Sequence, residues 1–234
     1  KKSLNNKKCY RIAFASDIHI SPLINNFHIT RLVKAINQTN PDIIIFGGDI
    51  LSEELNLIER YSIGLPLTQL KAKYGVFAVM GNHEYITNVN KAKNYIENRL
   101  KINIIQDEMI KLDNNIAIIG RDDNDRSRFT GVSRKSLSDI LQKNDTPLTI
   151  VIDHQPIAIK ESIENNIDIH LSGHTHNGQL FPLSYIPKWI YGYGVGHIKE
   201  NKTNIIISSG YGLWGPPVRV GSSSEIIIIN ITLQ

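Results

Sequence analysis

Two imidazoles one residue apart, His174 and His176 in "LSGHTHNGQL", follow a glycine at the end of an apolar run. Neutral imidazole offers a nitrogen lone pair near physiological pH, so histidine is a common metal ligand. A pair at i and i+2 is weak evidence alone, because on a strand both rings share one face and a surface pair costs little. The other apolar runs decide the matter. The first ends in Asp17-Ile18-His19, the second in Gly48-Asp49, the third in Gly81-Asn82-His83-Glu84, and a later one in Asp153-His154. In open α/β sheets, ligands bind outside the carboxyl ends of the strands. Core packing gives no reason to put Asp, Asn or His at five such ends, whereas a shared metal cluster does. Imidazoles suit Zn, Fe or Mn, carboxylates admit harder ions, and Asp49 has two oxygens with which to bridge a pair. Two divalent ions about 3.5–4 Å apart polarise a phosphoryl group and acidify water. The glycines beside Asp49, Asn82 and His174 are expected to let the backbone turn sharply there.

The elements that must position these residues alternate. "YRIAFAS", "DIIIFGGD" and "GVFAVMGN" read as buried strands separated by helical patterns, which predicts parallel strands with right-handed crossovers. The first helix, "NFHITRLVKAINQTN", sets Phe27, Leu32, Val33 and Ile36 near helical spacing. Ser52 is expected to cap the next. "NIIQDEMIKLDNNIAIIG" reads as a hairpin turning at Asp113–Asn115, "RDDNDRSRF" as a polar loop, and "SRKSLSDILQKN" as a helix. "LTIVIDHQP" and "IDIHLSGHTH" are short buried strands, and the last part, turning near Glu200–Lys202, reads as mainly antiparallel.

With 234 residues, 41% hydrophobic and 21% charged, the chain suits one folded α/β domain. A net charge of +4 without a basic-aromatic stripe argues against nucleic acid. One cysteine, Cys9, excludes an intrachain disulfide, and no run reaches the length of a membrane helix. Residues 1–9 form a basic segment, read as a solvated terminus or as a juxtamembrane stretch behind a removed anchor. Residues 10–234 are read as the domain.

The order DxH, GD, GNHE, a single His and GHxH resembles the calcineurin-like metallophosphoesterase superfamily from Asp17 to His176. "GHTHNGQ" and "GLWGPPVRVG" look closer to a membrane-associated bacterial branch, the YkuE/YaeI-like phosphoesterases. The resemblance implies a four-layer α/β/β/α sandwich with mixed sheets. It implies that Asp17, His19 and His176 hold one metal and Asn82, His154 and His174 the other, with Asp49 bridging. A metal-bridging hydroxide would attack phosphorus in line, and His83 would stabilise the transition state or protonate the leaving oxygen, worth about 10²–10⁴-fold. Two divalent ions (Mn, Zn or Fe) are the implied cofactors. The implied substrate is a phosphoester or pyrophosphate, of a lipid-linked or nucleotide-sugar-lipid kind, with membrane association as the corresponding localisation and the cytoplasm as its alternative. A noncatalytic interaction module of the same fold and a nuclease are the rivals.

Two positions depart from the pattern. Ser52, followed by Glu53 and Glu54, stands where many relatives have the second aspartate of GDxxD, which orients the catalytic histidine. Asn177 stands where the branch usually has glycine. Among the remaining polar residues, Asp153 is expected to support locally, His170 to be packed and hydrogen-bonded, and His28 and His197 to lie at the surface. Asp122, Asp123 and Asp125 lack the spacing of a calcium loop and are expected in a solvated turn. Arg219 is a candidate substrate-binding residue that could meet a phosphate. Trp214, Pro216 and Pro217 form a stiff loop facing either an acyl chain or the core.

Overall fold

The computed structural model describes residues 8–52, 55–141 and 145–233. The apolar runs become short strands: β1 Cys9–Ala15, β2 Ile43–Phe46, β3 Val76–Ala78, β4 Asn103–Ile104, β5 Glu108–Asp113, β6 Ile116–Gly120, β7 Leu148–Ile152, β8 Ile169–Ser172, β9 Gly196–Glu200, β10 Thr203–Ile207 and β11 Ile227–Thr232. They form two mixed sheets, ordered β11-β1-β2-β3-β4 and β5-β6-β7-β8-β10-β9.

Alternation of side chains along each strand builds the layers. Ile12 and Phe14 of β1, with Ile43 and Ile45 of β2, face Ile116, Ile118, Ile150, Ile152 and Leu171 of the second sheet in one buried cluster. The intervening Ala13, Ala15, Ile44 and Phe46 face outward onto Ile29, Leu32, Val33 and Ile36 of helix Asn26–Gln38. On the other flank Val151 and Ile119 pack under Leu137 and Ile140 of helix Leu137–Leu141. The result is the expected helix, sheet, sheet, helix sandwich.

Several local expectations change. Phe27 is 67% exposed, and the buried stripe of the first helix begins at Ile29. Asn103-Ile104 leaves the hairpin and pairs with β3, so the hairpin is β5–β6 alone. The second half is less antiparallel than its sequence suggests, since β6, β7, β8 and β10 run parallel and only the two outer pairs are antiparallel. β11 crosses back to pair antiparallel with β1, where sequence reading left its partner open. Helix Leu55–Arg60 begins after residues 53–54, which lie outside the described residues, as do Lys1–Lys7 of the basic segment. The Ser52 hydroxyl makes no hydrogen bond to a described residue.

Candidate metal centre

The parallel strands β1, β2, β3, β7 and β8 all end at one mouth of the sandwich, and their ends are bonded to one another. Asp17 N donates to Gly48 O at 3.1 Å, His19 N to Asp49 O at 3.0 Å, and Gly173 N to His154 O at 2.9 Å. The two sheets are joined where His174 N donates to both Asp17 oxygens, at 2.9 and 3.0 Å. All seven expected ligands come together here. Asp17, His19 and His176 form one group whose ligand atoms lie within 4.8 Å of each other, and Asp49, His154 and His174 form a second. Asn82 Oδ1 joins the second at 3.2 Å from His154 Nε2. Asp49 Oδ2 stands between the two, 3.1 Å from His154 Nε2 and 3.9 Å from His19 Nε2.

The backbone is bent to achieve this. Asp17, His19, Asp49, His174 and His176, five of those seven, have φ between 47° and 70°. Non-glycine residues adopt this left-handed region rarely, and runs of it gather at functional sites. His174 and His176 therefore lie in turns beyond β8 and do not alternate along a strand. Asn177 is also left-handed, at φ 51° and ψ 37°, the conformation a glycine there would supply freely and Asn tolerates best among the rest. Of the three flanking glycines, Gly48 alone has a positive φ, 91°, and a Cβ on it would stand 2.6 Å from His154 Nδ1. Gly173 is required for a different reason from the sharp turn expected: a side chain there would meet Ser16 and the Asp17 carboxylate.

The donor set fits cations. His154 Nδ1 lies 2.7 Å from Gly47 O, which fixes the proton on that nitrogen and leaves the Nε2 lone pair aimed at Asp49, Asn82 and His174 Nδ1. His19 Nε2 and His176 Nε2 face each other at 3.0 Å. Lone pairs converging at such distances repel unless a proton or a metal ion lies among them. Burial pushes His19 down to about 3, His174 to about 4 and His176 to about 3, keeping all three neutral and ready to ligate at pH 7. Burial also opposes charge on His154 and Asp49, but their mutual attraction wins, raising the histidine and lowering the carboxyl. The second proton sits on His154 Nε2, facing Asp49, and a divalent cation would replace it.

His83 lies at the same mouth. Its ring meets His19 edge-on, with centroids 4.7 Å apart, and its backbone N–H donates to Asp49 Oδ1 at 2.9 Å. With His19, Asp49, Asn82, His174 and His176 it lines a cavity of about 200 Å³. An outer recess of about 350 Å³ lies between His83, Ser52, Ser21 and Leu213. Ser52 thus stands on the His83 side, as its place in the GDxxD pattern implies; Glu53 and Glu54, which follow it, fall outside the described residues.

Arg219 is not among the residues that line either space. Its Nη1 donates to Ser209 O at 2.9 Å and its Nη2 to Gly210 O and Gly212 O at 3.1 and 2.7 Å, while Nη2 sits 3.3 Å from His176 Nδ1.

Three features escaped sequence reasoning. Glu84 is fully buried and accepts the backbone N–H groups of Asp49, Leu51 and Gly81 at 3.1, 2.9 and 2.8 Å, clamping the β2 and β3 ends together. Its place in GNHE was the only signal. Burial, then the Asp49 charge, pushes its carboxyl up to about 8. The acidic turn is the second, and here the expectation of a solvated loop fails: Asp122 and Asp123 are 1% and 0% exposed. Asp122 accepts from Arg126 at 2.8 Å, Asp123 from Gln155 at 3.0 and 3.2 Å, and Asp153 from Arg134 at 2.8 Å. This ionic platform anchors Asp153 and Gln155 on either side of His154, and burial raises Asp123 to about 7. The third is Gln179, whose amide bonds Trp214 N and the Trp214 and Pro216 carbonyls at 2.7–2.9 Å. His170, as expected, is buried between Ser162 Oγ at 2.8 Å and Ser172 Oγ at 2.9 Å.

A layered sandwich with imidazoles, carboxylates and an amide converging at its strand ends has the arrangement of a metal-dependent hydrolase. The calcineurin-like phosphoesterase family model matches residues 10–178, and the chain belongs to that family. An uncharacterized metallophosphoesterase of Helicobacter pylori is 32% identical over 226 residues, covering 94% of this chain and 59% of that protein. A transmembrane protein with metallophosphoesterase domain from Bos taurus is 31% identical over 234 residues, covering 92% and 51%. The uncharacterized metallophosphoesterase YkuE of Bacillus subtilis is 26% identical over 239 residues, covering 95% and 79%. Among solved structures, the NAD nucleotidase of Haemophilus influenzae shares the fold at a TM-score of 0.56 and 15% identity, over 88% of this chain and 46% of that one. The chain thus spans about three-fifths of the Helicobacter protein and half of the bovine one.

Proposed function

We propose that the chain hydrolyses a P–O bond of a phosphoester or pyrophosphate at this centre. Asp17, His19 and His176 would hold one divalent ion, Asn82, His154 and His174 the second, and Asp49 both. The observation that carries the reading is the place of Asp49 Oδ2 between two groups of inward-facing lone pairs. Ions bound there would supply positive charge for the phosphoryl oxygens and lower the pKa of water. Histidine-rich donors favour Mn, Zn or Fe. His83, which lines the cavity, would hold a proton for the departing oxygen. Arg219, expected to meet a phosphate, serves better as a positioning residue behind His176, because its terminal nitrogens are directed at carbonyl oxygens.

The same reading takes residues 10–234 as the catalytic domain and a lipid-linked phosphoester as substrate, acted on at a membrane. Support for the latter comes from relatives named as transmembrane proteins; no described helix is long and apolar enough to cross a membrane. The test is turnover of aryl phosphate monoesters, aryl diesters and a nucleotide-sugar lipid by stripped protein resupplied with Mn, Zn or Fe. Metal-dependent hydrolysis that Asp49→Ala abolishes is expected. Stoichiometric metal binding without turnover of any of them would leave a noncatalytic module of the same fold.

A further inference from the structure

The segment that follows the histidine pair is unusual in charge and exposure. Between Asn177 and Gly196 the chain carries Lys188 and no acidic residue. Within it, helix Tyr185–Tyr191 turns Tyr185, Ile186, Trp189 and Ile190 outward, Trp189 being 86% exposed. These lie at i and i+4 and so share a face. Phe181 and Leu183 continue that surface, with the Phe181 and Tyr185 rings 6.3 Å apart.

The apolar surface extends onto a second segment. Phe181 N donates to Val220 O at 2.7 Å and Val220 N to Gln179 O at 2.9 Å. Gln179 also fixes the Trp214 loop through its three amide bonds. Exposed Trp214, Val218 and Val220 therefore join the same rim. At the other end of the helix Tyr191 stands edge-on to His174, with ring centroids 6.2 Å apart. The rim thus borders the histidine cavity.

Isolated exposed apolar residues are ordinary, but a contiguous patch marks an interaction surface. We propose that this rim rests on an anionic lipid bilayer. Trp189, Ile186 and Ile190 enter the boundary between headgroups and acyl chains, and Lys188 meets lipid phosphate. Two observations favour lipid over a protein partner. Beside Phe181 the exposed rings are Trp189, Trp214 and Tyr185, whose apolar body and polar edge suit the membrane interface. The two stretches that build the rim, 180–191 and 214–220, carry Lys188 and Arg219 and no acidic residue, which complements anionic headgroups. The proposal extends the lipid-linked substrate reading by placing the metal centre at the bilayer surface, yet binding itself needs no turnover.

The experiment is co-sedimentation of the full chain, in chelator, with vesicles of phosphatidylcholine alone and of phosphatidylcholine and phosphatidylglycerol in equal parts. The unsubstituted protein should bind the anionic vesicles and bind the neutral ones less. The double variant Trp189→Ser, Ile190→Ser should bind the anionic vesicles about tenfold less or weaker still. Its melting temperature and its turnover of a soluble aryl diester should be unchanged, since neither side chain lines the cavity. Failure of the unsubstituted protein to sediment, or equal sedimentation of the variant, overturns the proposal. So does a dimer in solution that the variant dissociates while vesicle binding persists. If vesicle binding is lost in the variant but no metal supports turnover, the phosphoesterase reading fails and this one stands.

Discussion

At the scale of single residues, His83 and the seven proposed ligands differ in what they must do. A ligand removed takes a metal with it, whereas a proton donor removed leaves the metals in place. His83→Gln should therefore lower kcat by about 10²–10⁴-fold while bound metal, measured by elemental analysis, stays constant. Loss of metal in that variant would instead make His83 a ligand, a role its position within 4.8 Å of His19 and Asp49 atoms also permits. His170 gives a different prediction, because it titrates away from the centre. Burial lowers it from 6.5 to about 4. Between those values the unfolded chain binds more protons than the folded one, so the stability contribution is complete above about 6.5 and is lost as pH falls towards about 4. A shift of that size corresponds to about 3 kcal/mol. In chelator, urea midpoints of His170→Gln should fall less steeply across this window than those of the unsubstituted protein. Parallel slopes would contradict the assignment.

At the scale of elements, the strand ends are held by groups that never touch a substrate. Glu84 ties three amide N–H groups from two loops, including that of Asp49 itself. Above about pH 8, where its carboxyl is ionised, Glu84→Gln replaces one acceptor oxygen by a donor and should leave at least one of those amides unpaired. The expected costs are about 1–3 kcal/mol in stability and about 10–100-fold in metal affinity. Calorimetric titration with Mn and a urea melt would measure both, and unchanged affinity would reduce Glu84 to a passive core group. The acidic turn teaches the same lesson. Read as sequence, "RDDNDRSRF" is polar and belongs in water. In the fold Arg126, four residues on, neutralises Asp122, and Arg134 neutralises Asp153 nineteen residues further along, so burial becomes tolerable. The Arg126 pair is local, but compensation of Asp153 across nineteen residues leaves no periodic mark, which is why the platform under His154 could not be read in advance.

At the scale of the whole molecule, the centre depends on two sheets meeting. Asp17 and Asp49 belong to one, His154 and His174 to the other, and the shared core of Phe14, Ile45, Ile150 and Leu171, with the hydrogen bonds from His174 to Asp17, keeps their strand ends in register. Metal bound between the sheets should therefore stabilise the entire fold. With free ion at about 100 times Kd, one site contributes about 2.7 kcal/mol. The melting temperature should rise on adding Mn to stripped protein and should not rise for Asp49→Ala. An equal rise in both proteins would mean that the ions bind elsewhere.

The sequence determined which residue types stand at the ends of the buried runs, because a metal demands particular donor atoms and each donor is one letter in the chain. It also determined the strand pattern, since apolar β-branched runs have few other uses. The tertiary structure alone decided the rest: the left-handed turns at five of those donors, the pairing of β11 with β1, the parallel core of the second sheet, the clamp by Glu84 and the exposed rim around Trp189. The physical reason is range. Donor chemistry and side-chain alternation are local properties of a chain, whereas burial, charge compensation and exposure are fixed by what packs against a residue from far along it.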